Sequence, residues 1–108
     1  MERIELQRTG KRPLAFTGKL LFEDSTSPNR ASSRYSGATG HWSELRVYET
    51  DKGKYVVYLI RYTAWQGERD TYEAEVLDTP EAVISWVEAN APRWAGEVAE
   101  VLGVAEEV

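Results

Sequence analysis

The hydrophobic pattern of this 108-residue chain changes period once, at Leu77 and Asp78, and that change constrains the fold more than any motif does. Before it, apolar residues alternate with polar ones, as on a half-buried strand; after it, they recur at helical spacing. Strands that precede helices, rather than alternating with them, make an α+β domain with the helices gathered on one face of an antiparallel sheet.

The strand half divides further. Leu14, Phe16, Leu20 and Phe22 share one phase, with Thr17, Lys19 and Glu23 out of phase, and Ile4 with Leu6 makes a shorter partner across the turn Thr9-Gly10-Lys11-Arg12-Pro13. Gly18 falls inside the apolar phase and marks either a bulge or a place where a ring lies across the backbone. Strands resume at 41–49 and 54–65, joined by Thr50-Asp51-Lys52-Gly53, the chemistry of a type I turn closed by a glycine bulge. A second turn near Gln66-Gly67 leads into 71–77. The spacing predicts about five strands, a meander of three beside an N-terminal hairpin.

Asp78-Thr79-Pro80-Glu81 carries a capping oxygen, a proline for the first turn and an acid near the positive end of a helix. Val83, Trp86 and Val87 form its apolar stripe, which Asn90-Ala91-Pro92 interrupts. A second helix from about 92 to 102 presents Trp94, Val98, Val101 and Leu102 on one side, with Gly103 as its stop. The expected core is Phe16, Leu20, Leu45, Val47, Val56, Ile60, Val76, Val83, Trp86, Val87, Val98 and Leu102. One domain over 1–108 is expected, with a flexible Ser/Gly-rich loop at 25–40 and a frayed tail at 104–108.

Composition limits the chemistry. With no cysteine and one histidine, the chain has no thiol nucleophile, no zinc cluster and no histidine pair. His41 has no sequence-local carboxylate, serine or cysteine in a nucleophile pattern. Glu73 and Glu75 alternate along a strand as a solvated face does. Gly10-Lys11 and Gly18-Lys19 lack the upstream glycine and the following Ser or Thr of a phosphate loop. The expectation is a protein that is not an enzyme, with no catalytic residue, no metal and no cofactor. No stretch approaches the roughly 20 apolar residues that span a bilayer, so a soluble, cytoplasmic protein without membrane contact is expected.

Charge is placed unevenly. Residues 1–54 hold ten basic and seven acidic side chains, whereas 55–108 hold three and eleven, within a net charge of -5. A general polyanion binder does not have this balance.

The informative surface is the sheet face that the helices leave open. If Val56, Tyr58, Ile60 and Tyr62 face the helices, then Tyr55, Arg61, Thr63 and Trp65 face away. Core-facing Leu45 and Val47 leave Trp42, Glu44, Arg46 and Tyr48 outward; core-facing Tyr72, Ala74 and Val76 leave Thr71, Glu73 and Glu75. A register shift of one residue on the central strand reverses the exposed set. Three readings of this face compete: cross-strand pairs that only stabilise the sheet, a site for a protein partner or a second copy in a homodimer, and a platform that stacks the bases of a single-stranded nucleic acid. The expected binding set is Trp42, Arg46, Tyr48, Arg61 and Trp65, with Arg30, Arg34 and Tyr35 from the adjoining loop. The expected function is a small protein-binding or regulatory module, with single-stranded nucleic-acid binding as the alternative.

Overall fold

The computed structural model describes residues 1–26, 40–65 and 67–104. Five strands, β1 (Glu2–Arg8), β2 (Lys11–Ser25), β3 (His41–Thr50), β4 (Tyr55–Thr63) and β5 (Thr71–Leu77), form one sheet in sequence order, every neighbouring pair antiparallel. Helix α1 (Pro80–Asn90), a 3₁₀ turn (Pro92–Trp94) and helix α2 (Ala95–Leu102) follow. The fold is α+β, with strands and helices segregated as the change of period requires.

The local signals act where they stand. The Thr79 hydroxyl accepts a hydrogen bond from the Ala82 amide at 3.0 Å, and Pro80 opens α1 where its missing N–H costs nothing. Gly103 takes φ 70° and its N–H bonds back to the Ala99 and Glu100 carbonyls, closing α2. In the β3–β4 hairpin Gly53 has φ 79°, and the buried Thr50 hydroxyl accepts from the Lys52 and Lys54 amides. Gly18 answers to close approach: a Cβ there would overlap the Glu49 carbonyl of β3, which the ladder holds in place.

The sheet has two cores. Leu45 and Val47 of β3 pair with Leu59 and Val57 of β4 and pack under Val83, Val87, Trp94 and Val98 of the helical layer. On the opposite face Leu6, Tyr48, Val56, Tyr58, Ile60 and Ala74 form a second cluster, joined by Ile4, Leu14, Phe16, Tyr62 and Tyr72. Among the described residues no helix covers this second face; the sheet curls over it. The Thr9 amide donates to the Tyr72 carbonyl at 2.9 Å, the Tyr72 amide donates to the Thr9 hydroxyl at 2.8 Å, and the Tyr58 hydroxyl reaches across to the Gln7 carbonyl. The end of β1 is thereby drawn to the start of β5, and the second face becomes concave.

This corrects the expected phase of β4 and β5. Val57 and Leu59 face the helices, while Val56, Tyr58, Ile60, Tyr72 and Ala74 face the concavity. Val56 through Ile60 are all at most 4% exposed, so β4 has no polar phase from which a side could be read. Two expected core residues are exposed, Leu20 at 47% and Val76 at 45%. Val76 lines an open hollow of about 300 Å³ at the β3–β4 hairpin end of the concave face, with Leu14, Phe16 and Val56.

Strand β2 serves both cores because its register shifts between Leu20 and Phe22. Without the shift Phe22 would stand opposite Arg46; with it, Phe22 stands opposite Val47 and joins the helix-side core. Asp24 follows onto that face, where its carboxylate accepts the indole N–H of Trp94 at 2.9 Å. β2 also extends through Ser25, and the Thr26 amide donates to the Ser43 carbonyl, so the ladder enters the segment expected as a loop. Residues 27–39 of that loop, and 105–108 of the expected tail, lie outside the described residues.

Trp94, 2% exposed and hydrogen-bonded, carries more of the helix-to-sheet contact than the half-buried Trp86. Chemical denaturation of Trp94→Ala is expected to show a loss of about 3 to 5 kcal/mol, and of Trp86→Ala a smaller one. Gly18→Ala is expected to cost about 1 to 3 kcal/mol by overpacking against a fixed carbonyl, and the same experiment measures it.

Candidate binding face

The cross-strand register assembles the concave surface beyond the reach of β1. β1 pairs with β2 only as far as Gly18, so the start of β3 and the end of β4 lie past the covered part. There Trp42 stands opposite Tyr62, and the two half-buried rings stack 5.5 Å apart at 18°. Tyr58 and Tyr72 stack at 6.4 Å farther in, and Phe16 meets the buried Tyr48 edge-on at 5.4 Å. Aromatic side chains therefore run from the open mouth into the second core.

Charge at this mouth is paired within the protein. The Arg46 Nε lies 2.9 Å from Glu23 and 2.5 Å from Glu44, with neither carboxylate in line with its N–H, so these are charge contacts rather than aligned hydrogen bonds. Burial works against the Arg46 charge, but the Tyr48 hydroxyl and the Glu44 carboxylate outweigh it, and the guanidinium titrates above the ordinary arginine range. Among the described residues, one arginine against two carboxylates leaves this cluster acidic. Burial, and after it the charge of Glu44, raises the Tyr62 phenol. Burial and the neighbouring Tyr72 push Tyr58 up to about 12.

A second group of polar contacts sits at the rim. Nε2 of His41 lies 2.8 Å from Glu68, whose carboxyl is held below the usual range by that hydrogen bond. The Thr63 hydroxyl donates to the same carboxylate at 3.3 Å and accepts the Trp65 amide, and Asp70 accepts the Thr63 amide. The Trp65 ring stacks near His41 at 6.2 Å and lies across Gly40, where a Cβ would collide with the indole. His41 thus has a carboxylate partner distant in sequence, which local spacing could not reveal. The hydroxyl in the group bonds the carboxylate and not the imidazole, and both His41 and Glu68 are at least half exposed. Among the described residues, these contacts tie the Thr63–Asp70 turn to the start of β3.

The expected binding residues therefore separate. Trp42 and Arg46 share the concave mouth, and Tyr48 lies deeper on the same face, buried. Arg61 is on the helix-side face, 3.5 Å from Glu73, beside a depression of about 290 Å³ shared with Asn90, Arg93 and Trp94. Trp65, 58% exposed, stands at the rim. Arg30, Arg34 and Tyr35 lie outside the described residues. Tyr62, Tyr58 and Tyr72 belong to the concave face, although their phase had been read as facing the helices. The signal that could have found them is the run Tyr55–Ile60, apolar or aromatic in both phases, which marks a strand buried on two sides.

No protein-family model, no curated protein and no solved structure matches this chain. Among the described residues no helix is long and apolar enough to cross a membrane.

The shifted phenol has a measurable consequence. The fold favours protonated Tyr58, so its contribution to stability is complete below the unfolded phenol value near 10 and is lost as pH rises toward about 12. Denaturation at several pH values is expected to show stability falling through that window, with a shallower fall for Tyr58→Phe.

Proposed function

We propose that this protein is a small, non-catalytic binding module that takes a protein partner at the open end of its concave sheet face. The observation that carries this reading is the stacked, half-buried Trp42–Tyr62 pair, set beside the Arg46, Glu23 and Glu44 cluster. Tryptophan and tyrosine anchors with an arginine held in place by neighbours are the composition of interface hot spots, and a stacked pair has already given up much of its rotational freedom. The acidic balance favours a partner segment that offers apolar groups with a lysine or arginine.

Among the described residues, a phosphate strand meets less favourable terms here. Arg46 is engaged by two carboxylates, and Arg61 lies on the other face beside Glu73. Stacking of bases on Trp42 and Tyr62 would proceed with little charge attraction.

Peptides selected from a random display library against the folded protein test the reading. Binders enriched in aromatic or aliphatic residues with a basic flank are expected, and Trp42→Ala should weaken them by about 2 kcal/mol, roughly thirtyfold, while circular dichroism shows an intact fold. A single-stranded oligonucleotide titrated at two salt concentrations is the control. Quenching of tryptophan fluorescence with steep salt dependence, alongside peptides indifferent to Trp42, would overturn the protein-partner assignment.

A further inference from the structure

The two outer edges of the sheet differ in how they treat a second strand. β1 is paired only with β2, and among the described residues no backbone–backbone hydrogen bond joins Glu2–Leu6 to any other segment; the Gln7 carbonyl beyond them accepts the Tyr58 hydroxyl. The helices pack over β2, β4 and β5, and β5 meets the end of β1 at the Thr9–Tyr72 seam, which leaves the outer edge of Glu2–Leu6 without a paired strand. Unpaired edges of this kind are templates for another strand unless the sequence guards them.

The charges along each edge decide which partner fits. When two copies pair one strand antiparallel about a two-fold axis perpendicular to the sheet, the helix-covered faces stay on the same side, and opposed residues must come from the same face. The axis then passes through a residue. On β5 an axis at Glu73 or Glu75 sets glutamates against each other, and an axis at Ala74 sets Glu73 against the partner copy's Glu75. On β1 an axis at Arg3 opposes two arginines and an axis at Glu5 opposes two glutamates. An axis at Ile4 behaves differently: Arg3 meets Glu5 twice, by symmetry, and Ile4 meets its own copy on the concave side. Arg3 and Glu5 are exposed on the face opposite the second core and have no ion-pair partner among the described residues, so both are available for this pairing.

We infer that the β1 edge is a self-association surface, and that its occupant is β1 of a second copy, in the antiparallel register centred on Ile4. Two five-stranded sheets then become one continuous sheet, with each concave mouth at Trp42 left free. The contact uses none of the residues assigned to the binding face, so the two proposals stand or fall separately.

Charge reversal tests both the surface and the register. Sedimentation equilibrium of the full chain, from micromolar to millimolar protein, is expected to show a monomer–dimer equilibrium. Arg3→Glu and Glu5→Arg should each weaken it about tenfold, since each sets like charges opposite one another at two places. The double variant R3E/E5R restores both pairs and should return the dimer to wild-type strength. An equimolar mixture of the two single variants should form a heterodimer. Because both side chains are exposed, the variants keep the fold, which circular dichroism verifies. In the wild type, amide hydrogen exchange within Glu2–Leu6 should slow as concentration rises. A concentration-independent monomer overturns the inference, as does a dimer that ignores the single reversals or is not restored by the double one.

Discussion

Everything in this fold depends on β4 being buried on both sides. Val56, Tyr58 and Ile60 project into one core, Val57 and Leu59 into another, and none is more than 4% exposed. Such a strand cannot choose its own side, because a slip of one residue exchanges one apolar set for another. Its neighbour chooses for it. β3 has a true alternation, with Leu45 and Val47 in one phase and Glu44, Arg46 and Tyr48 in the other, and its ladder with β4 runs unbroken from His41 opposite Thr63 to Glu49 opposite Tyr55. The Thr50–Lys54 turn, held by the Thr50 hydroxyl, fixes that register at one end.

Two apolar faces need two covers, and one pair of short helices supplies only one. The other is the sheet itself. The register shift in β2 makes this possible by letting a single long strand place Leu14 and Phe16 in the concave core and Phe22 and Asp24 against the helices. Asp24 then accepts the Trp94 indole, which fastens the 3₁₀ turn and α2 to the far end of the same strand. At the other edge the Thr9 and Tyr72 contacts hold the curl. The bulge, the buried tryptophan and the seam are parts of one solution to an excess of apolar surface.

The candidate binding face is what this solution leaves uncovered. β1 is too short to follow β2 to Ser25, so the aromatic lining of the concave core emerges at Trp42 and Tyr62. The same short, charged β1 is an edge strand, with no strand paired to the outer side of Glu2–Leu6. Both surfaces proposed for recognition are therefore consequences of how far one strand reaches, and they sit on different parts of the molecule.

The sequence by itself determined the elements and their order. The helix start at Thr79 and Pro80, the stop at Gly103, the turn at Gly53 and the close approach at Gly18 rest on interactions within a few residues or on the absence of a side chain, and the chain spells these out directly. The side of each strand was legible only where polar and apolar residues truly alternate, as in β3. Tertiary structure alone decided the rest: the phase of β4, the exposure of Leu20 and Val76, the separation of Arg61 from Trp42, and the meeting of His41 with Glu68. Those outcomes depend on a register shift, a curled sheet and contacts across many residues, and a strand apolar in both phases carries no local mark of which core each phase will fill.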